Sequence, residues 1–318
     1  MRITQRAMVL TSLQGLNRNQ EAIAKLQEQL TSGKSINKPS DDPTGTNAAM
    51  QTRQELAAAT QYARNISDGI GVLDSTDSAL QSAINQARVV RERTVAALNT
   101  GSMSDAARAA TATEISGIRE SLIGLANTTV QNQPIFGGVT SGSVAYDAAG
   151  LYKGYGGTKA VPEKPADGDQ AAVPAVPAVE VVEVTRQVSD GDAVRVDITG
   201  PEAFGDPADG DLFALLADIA RDAVDDPAAL SGHLVKLDEA MDRLTNALAD
   251  IGTRTNRIET AQQVNVDLQL SLTSRSAAIE NVDLPKTIMN LQMQQVGYEA
   301  ALGATAKVIQ PTLLDFLR

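Results

Sequence analysis

The stretch LPKTIMNLQMQQVGYEAALGATAKVIQPTLLDFLR, from Leu284 to Arg318, decides the fold of this chain. Its apolar residues recur in steps of three and four, which places them on one face of an α-helix. They are Ile288, Leu291, Tyr298, Leu302 and Ile309. Gln295 and Thr305 interrupt this face with polar side chains. We therefore expect a helix that becomes stable only when partner helices pack against it.

The first residues of the chain carry a matching pattern. Val9, Leu13, Leu16, Ile23 and Leu30 follow the same register, and Gln20 and Gln27 fill its missing positions. Two chain ends with matching, partly polar faces can cover each other. We predict that neither end is stable alone.

Composition favours a helical rod over a thick globule. Aromatic residues make up only 3% of the 318 residues and Trp is absent, so the large side chains that fill a compact core are scarce. The absence of cysteine excludes disulfides and thiolate metal sites. No apolar run approaches the roughly 18 residues of a membrane span, and the N-terminus lacks the apolar core of a cleavable signal peptide. We expect no membrane partner.

The excess negative charge lies in the middle of the chain. The net charge is -12, and residues 163–226 alone hold 16 Asp/Glu against 4 Lys/Arg. The remaining segments are therefore neutral, so copies of them can pack together without building up repulsion. The acidic middle is expected to face solvent, and the acidic balance argues against nucleic acid as a partner.

Proline and glycine mark the helix boundaries. The pattern predicts a first helix over residues 4–30, ended by Gly33, and a long helix over residues 44–98 followed by a shorter returning helix. Asp41 and Asp42 can be read as metal ligands or a catalytic pair, but no third ligand is near. The favoured interpretation is that Asp42 caps the long helix and that Pro43 lies in its first turn.

The middle of the chain has a different residue pattern from the helical ends. AVEVVEVTRQVS and DAVRVDITG are rich in Val with partial alternation, which predicts two strands, and Ser189-Asp190-Gly191 suits the turn between them. The order of elements predicts a mainly α fold with a β insert, in which N- and C-terminal segments form an elongated antiparallel bundle or coiled coil. The predicted parts are terminal helical arms (1–40 with 284–318), a helical rod (41–139 with 211–283) and a variable acidic β-rich insert (140–210).

The sequence gives no positive sign of catalysis. His233 is the only histidine, so HExxH motifs, Cys-His pairs and Ser-His-Asp triads are excluded. We predict no catalytic residue, no metal site and no cofactor. An active site built from carboxylates in the insert stays open as an alternative, because such pairs have no fixed spacing along a chain.

Five segments of the chain resemble the flagellin family of bacterial flagellar axial proteins. They are LTSGKSINKPSDDPTG (30–45), ARNISDGIGVLDSTDSAL (63–80), NQPIFGG (132–138), IGTRTNRIE (251–259) and LLDFL (313–317). The resemblance covers roughly residues 1–140 and 228–318. Within the family, the PSDDP loop and the DFL ending are similar to hook-filament junction members more than to filament subunits, whose loop tends to read DDAAG.

The resemblance implies a structural subunit and not an enzyme. Such a subunit is exported through the flagellar type III apparatus without a cleaved signal, and assembles outside the cell as a ring that joins the hook, through the other hook-associated junction protein, to the filament of flagellin. A cytoplasmic export chaperone would bind the C-terminal arm and cover Ile288, Leu302 and Phe316. The predicted polymerisation interface consists of Val9, Leu13, Leu16, Ile23, Leu30, Ile288, Leu291, Tyr298, Leu302, Ile309, Leu313 and Phe316.

Two other functions stay open at the level of sequence. A filament flagellin has the same fold and differs in copy number, because a filament subunit polymerises alone into long filaments. A coiled-coil signalling scaffold belongs to a different class, and it normally carries a membrane anchor or a sensory domain.

Overall fold

A computed structural model describes residues 2–98, 103–140, 142–158, 179–208 and 210–309. The helices within them are α1 (Arg2–Ser32), α2 (Pro43–Ala97), α3 (Asp105–Ala126), α4 (Gly200–Phe204), α5 (Leu212–Asp225), α6 (Leu230–Glu280) and α7 (Leu284–Ile309). Two antiparallel strand pairs lie between α3 and α4. They are β1 (Thr129–Val130) with β2 (Gln133–Pro134), and β3 (Thr185–Ser189) with β4 (Asp192–Arg195). The predicted mainly α fold with a β insert is confirmed.

The loop between α1 and α2 ends one helix and starts the next as the sequence predicts. Gly33 follows α1 with φ +69°, a conformation that stops a helix. Asp42 Oδ1 accepts hydrogen bonds from the amides of Thr44 at 3.0 Å and Gly45 at 2.9 Å. Pro43 is the first residue of α2. The interpretation of Asp42 as a helix cap is therefore confirmed.

The chain forms two compact units, of which the first contains Met1–Thr60 and Asp267–Arg318. Within the described residues it holds α1, the start of α2, the end of α6 and α7. Ala59 of α2 and Leu272 of α6 are buried, and Gln269 Nε2 donates to the carbonyl oxygen of Ala59 at 3.1 Å. The start of α2 and the end of α6 therefore pack together inside this unit.

The second unit, Gln61–Val266, has an aliphatic core between α2 and α6. Apolar residues of these two helices that are spaced four or seven positions apart, and therefore share one helix face, are buried. The buried ones are Ile66, Leu73, Leu80, Ile84, Leu237, Leu244, Ile251 and Ile258. Arg91 Nε donates to Asp238 Oδ1 at 2.6 Å, which joins the helices at the edge of this core. The predicted division into arms, rod and insert stays a prediction, because the two compact units do not correspond to these three parts.

The predicted hairpin forms in the insert. β3 pairs with β4 in antiparallel register, with Thr185 opposite Arg195, and Asp190 and Gly191 form the turn. Gly191 has φ +77°, which glycine adopts without strain at such a turn. The hairpin and its turn are therefore confirmed, but the strands are shorter than the predicted segments, because residues 180–184 and 196–199 lie outside them.

A small aromatic core also lies in the second unit, and the low aromatic content of the chain gave no indication of it. Phe136, Tyr146, Phe204 and Phe213 are fully buried. The Tyr146 ring centroid lies 4.7 Å from that of Phe213 and 5.9 Å from that of Phe204. Few aromatic residues are present, but they are concentrated at one place. The composition argument, which favoured a helical rod over a thick globule, did not predict this cluster.

Candidate assembly surface

The two ends of the chain, α1 and α7, pack against each other and run antiparallel. Gln294 Nε2 donates to Asn19 Oδ1 at 3.0 Å, and Lys34 and Asn281, at the adjoining loops, form a β-bridge. Most of the buried and half-buried residues of both helices recur in steps of three and four, and those that do form what we call the arm seam. On α1 the arm seam consists of Val9, Ser12, Leu16, Asn19, Ile23, Leu26 and Leu30. On α7 it consists of Thr287, Leu291, Gln294, Tyr298, Ala301 and Thr305.

The arm seam is weak for two reasons. Polar residues occupy several of its positions, among them Ser12, Asn19, Thr287 and Gln294. Among the described side chains of α1 and α7, no apolar side chain is buried. Apolar surface stabilises by about 25 cal/mol per Å² only when it is removed from water. The two arms therefore need further partners to gain most of the available stabilisation.

The structure places the predicted interface residues in two groups. Those that lie in the arm seam and are half-buried are Val9, Leu16, Ile23, Leu30, Leu291 and Tyr298. Leu13, Ile288 and Leu302 lie beside the arm seam and are nearly half exposed. Ile309 is the last residue of α7, and Leu313 and Phe316 lie outside the described residues. The assignment of these side chains to a polymerisation interface stays a prediction.

A second apolar stripe on α7 was missed by the sequence reasoning. Met289, Met293 and Val296 are well exposed, and Val296 reaches 65% exposure. At 100° per residue they lie on the side of α7 about 180° from Thr287 and the arm seam. Ala300 continues the same stripe. We call the side chains of Met289, Met293 and Val296 the outer stripe.

The composition of α7 contained a signal for the outer stripe. Lys286, Glu299 and Lys307 are its only charged residues between Leu284 and Ile309. A helix with so few charged residues and apolar side chains on two opposite sides normally packs against neighbours on both sides. Since α1 covers one side only, α7 presents apolar surface to other partners. A single 3-4 pattern marks one side of α7 only and therefore does not reveal its second apolar side.

An ionic cluster lies where the arms meet the rest of the first unit. The buried carboxylate of Glu280 accepts hydrogen bonds from Arg53 Nε at 2.7 Å and from Lys34 Nζ at 3.0 Å. Backbone bonds run beside it: the amide of Ser35 donates to the Glu280 carbonyl oxygen at 2.7 Å, and the amide of Val282 donates to the carbonyl oxygen of Gly33 at 3.0 Å. We call Glu280, Lys34 and Arg53 the clasp. It fixes the loop after α1 to the turn before α7.

The clasp changes the acidity of Glu280. The hydrogen bond from Arg53, reinforced by the bond from Lys34 and by both positive charges, lowers the pKa of this carboxyl to about 2, although burial opposes the shift. Glu280 is therefore ionised at neutral pH. No helix in the described part of the chain is long and apolar enough to cross a membrane.

Two family models match the chain at the ends that contain the arms. The bacterial flagellin N-terminal helical region matches residues 3–140, and the bacterial flagellin C-terminal helical region matches residues 234–317. Helical regions of this type at both ends of a chain, on either side of a middle that neither model matches, define a structural protein of the flagellum. The chain belongs to the flagellin family, and the predicted resemblance is confirmed.

Relatives within this family resemble the chain along nearly its whole length. Flagellar hook-associated protein 3 of Escherichia coli is 27% identical over 96% of this chain and 96% of that protein. Flagellin of Bacillus subtilis is 26% identical over 100% of both chains. The crystal structure of FlgL from Bacillus cereus matches 71% of this chain and 99% of that chain with a TM-score of 0.55 at 22% identity. At that identity the structural match shows the fold.

Proposed function

We propose that this chain is the structural subunit that joins the flagellar hook, through the other hook-associated junction protein, to the filament. The observation that carries the proposal is α7, whose outer stripe is apolar and exposed while its opposite side packs on α1. Such a helix requires neighbouring subunits. The similarity to hook-associated protein 3 over 96% of the chain supports the junction as the place of assembly.

Assembly proceeds by coupled folding of the arms. In a free chain the arm seam buries little apolar surface, so α1 and α7 gain little against the conformational entropy that ordering them costs. In a ring, α7 of one subunit packs through its outer stripe, and through Ile288 and Leu302, against arms of its neighbours. Each fully buried Leu, Ile, Met or Val side chain then contributes about 1.5–3 kcal/mol.

Weak arms also suit export. A chain whose ends are marginally stable can pass an export channel unfolded, and we propose the flagellar type III apparatus as the route, with an N-terminal signal that is not cleaved. A cytoplasmic chaperone would cover Ile288, Leu302 and Phe316 on the C-terminal arm until export. The mature subunit is then part of the extracellular flagellum, in contact with other copies of itself, the other junction protein and flagellin.

A filament subunit is the second candidate, because flagellin of Bacillus subtilis matches the whole chain. Polymerisation of the purified chain distinguishes the two functions. Mixed at high concentration with sheared filament seeds, a junction subunit is expected to leave seed length unchanged in electron micrographs, while flagellin from the same bacterium lengthens the seeds in a parallel sample. Long filaments grown from this chain alone would favour the filament subunit.

A further inference from the structure

Two methionines make up most of the outer stripe of α7. Met289 is 59% exposed and Met293 is 65% exposed. Their spacing of four residues places both thioethers on the same side of the helix, opposite the side that packs on α1. An oxidant in solution can therefore reach both sulfur atoms in the free chain.

The other methionines whose side chains the structure describes provide references within the same molecule. Met103 and Met241 are half-buried and pack against the core of the second unit. Met50 is 55% exposed, but it lies on α2 and has no place in the outer stripe. Among these five methionines, only Met289 and Met293 combine high exposure with a position on the apolar outer side of an arm.

Oxidation makes a methionine side chain polar. A lone pair of the thioether sulfur attacks one oxygen of hydrogen peroxide, the O–O bond breaks, and the second oxygen leaves as water after it takes up the proton of the first. The sulfur is oxidised by two electrons and the peroxide is reduced by two. The product is a sulfoxide, which is polar and chiral where the thioether was apolar, and it disrupts apolar interfaces that contain methionine.

The position of the two methionines decides what such a change affects. In the free chain both side chains face water, so a sulfoxide there leaves the contacts between α7 and α1 in place. Where the outer stripe packs against neighbouring arms, each sulfoxide oxygen loses its water and opposes association unless a donor replaces it. Two sulfoxides on the same side of α7 act together on that association.

We propose that Met289 and Met293 are a modification site, at which oxidation by peroxide to methionine sulfoxide prevents a free subunit from assembling. The consequence for assembly rests on the proposed function, whereas the reactivity of the two sulfur atoms is a property of the single chain. Methionine sulfoxide reductases reverse the modification. Packing of the outer stripe covers the sulfur atoms, so the modification acts before assembly and not after it.

The first test measures the reactivity of each methionine in the full chain. The protein is treated with hydrogen peroxide, samples are quenched at intervals, and sulfoxide is quantified at each position by mass spectrometry of proteolytic peptides. We expect Met289, Met293 and Met50 to oxidise at least about fivefold faster than Met103 and Met241. Oxidation of Met289 and Met293 no faster than that of Met241 would overturn the inference, whatever the result for assembly.

The second test measures assembly with matched variants. The double variant Met289→Leu with Met293→Leu removes both sulfur atoms but keeps similar volume, apolar character and helix propensity. Met50→Leu is the control. Each protein is oxidised, freed of peroxide with catalase and pelleted with purified hooks that carry the other junction protein. Oxidation is expected to weaken binding of the wild type and of Met50→Leu at least about tenfold, and to leave binding of the double variant unchanged.

Treatment of the oxidised wild type with methionine sulfoxide reductases A and B is expected to restore binding, because the two enzymes reduce the two sulfoxide epimers. Undiminished binding of the oxidised wild type, or an equal loss in the oxidised double variant, would overturn the inference. Failure of the untreated wild type to bind hooks would contradict the proposed function instead. The peroxide rates would then still decide whether Met289 and Met293 are the reactive site.

Discussion

Glu280 connects three segments of the first unit through Arg53, Lys34 and the backbone of Ser35. Because its folded pKa is lowered to about 2, its contribution to stability is complete above the ordinary carboxyl value of 4.5 and is lost as the pH falls through about 2. Glu280→Gln is expected to lower the free energy of unfolding at pH 7 by about 1–2 kcal/mol.

The prediction is checked by measuring how the loss of unfolding free energy in Glu280→Gln depends on pH. Denaturant unfolding of the wild type and of Glu280→Gln is compared between pH 7 and pH 2, and the difference is expected to be constant above pH 5 and to shrink below it. Glu239→Gln, an exposed glutamate on the same helix, serves as the control and is expected to change stability little. A difference that persists undiminished at pH 2 would show that the clasp does not depend on the charge of Glu280.

Gly69 and Gly71 of α2 form a matched pair for testing close packing in the second unit. A Cβ atom at Gly69 would lie 2.5 Å from Ile258 Cδ1 and 3.1 Å from Val196 Cγ1, whereas a Cβ at Gly71 meets nothing within 4 Å. We expect Gly71→Ala to stabilise the fold by up to about 1 kcal/mol through helix propensity. Gly69→Ala is expected to destabilise it by about 1–2 kcal/mol, because overpacking outweighs the same gain.

Chemical denaturation of the two glycine variants gives the comparison directly. The expected order of stability is Gly71→Ala, wild type, Gly69→Ala. Equal stability of the two variants would mean that Val196 and Ile258 do not pack closely on α2 at Gly69.

At the scale of elements, the arms and the core are expected to differ in stability. The described side chains of α1 and α7 include no buried apolar residue, while α2 and α6 bury an aliphatic ladder in the second unit. In a dilute monomer we expect amide hydrogens of α1 and α7 to exchange within seconds and those near Leu73, Leu80 and Leu244 to be protected for hours. Full protection of both arms in the monomer would contradict coupled folding and assembly.

The outer stripe of α7 can be tested with a pair of identical substitutions. Val296 is 65% exposed on α7 and Val235 is 60% exposed on α6, so an aspartate at either position costs the monomer little. We expect Val296→Asp to reduce incorporation into flagella at least tenfold, because an uncompensated charge would be buried between subunits. Leu302→Asp is expected to act in the same direction, and Val235→Asp to incorporate normally.

Monomer stability and incorporation are measured separately for these variants. Unfolding midpoints of Val296→Asp and Val235→Asp are expected to match that of the wild type. Normal incorporation of Val296→Asp would exclude the outer stripe from the interface, while equal loss in both variants would point to a general effect of the added charge.

At the scale of the whole molecule, local signals in the sequence were enough to predict the fold. The cap at Asp42, the turn at Gly191 and the apolar periodicity of α2 and α6 depend on neighbours within a few residues, and all of them appear in the structure. These signals predicted the order of helices and the β insert. They act through steric and hydrogen-bond rules that need no knowledge of distant contacts.

Features that depend on distant residues could not be predicted in the same way. The clasp joins Lys34 to Glu280 across most of the chain, and no local pattern marks either residue. The arm seam includes Ser12, where the sequence reasoning expected Leu13, because the seam accepts polar side chains and a search for apolar positions shifts it by one residue. Apolar periodicity therefore locates a helix face to within about one residue. The helix that packs against that face determines which residues it covers.

Immunogold labelling of purified flagella tests the central claim most directly. The chain carries an epitope tag in the hairpin turn at residues 190–191, and the label is counted along each flagellum in electron micrographs. A junction subunit predicts gold particles confined to the hook end of the filament. Label distributed along the whole filament would contradict the junction and identify a filament subunit, and a complete absence of label from flagella with an accessible tag would contradict a role in the flagellar axis.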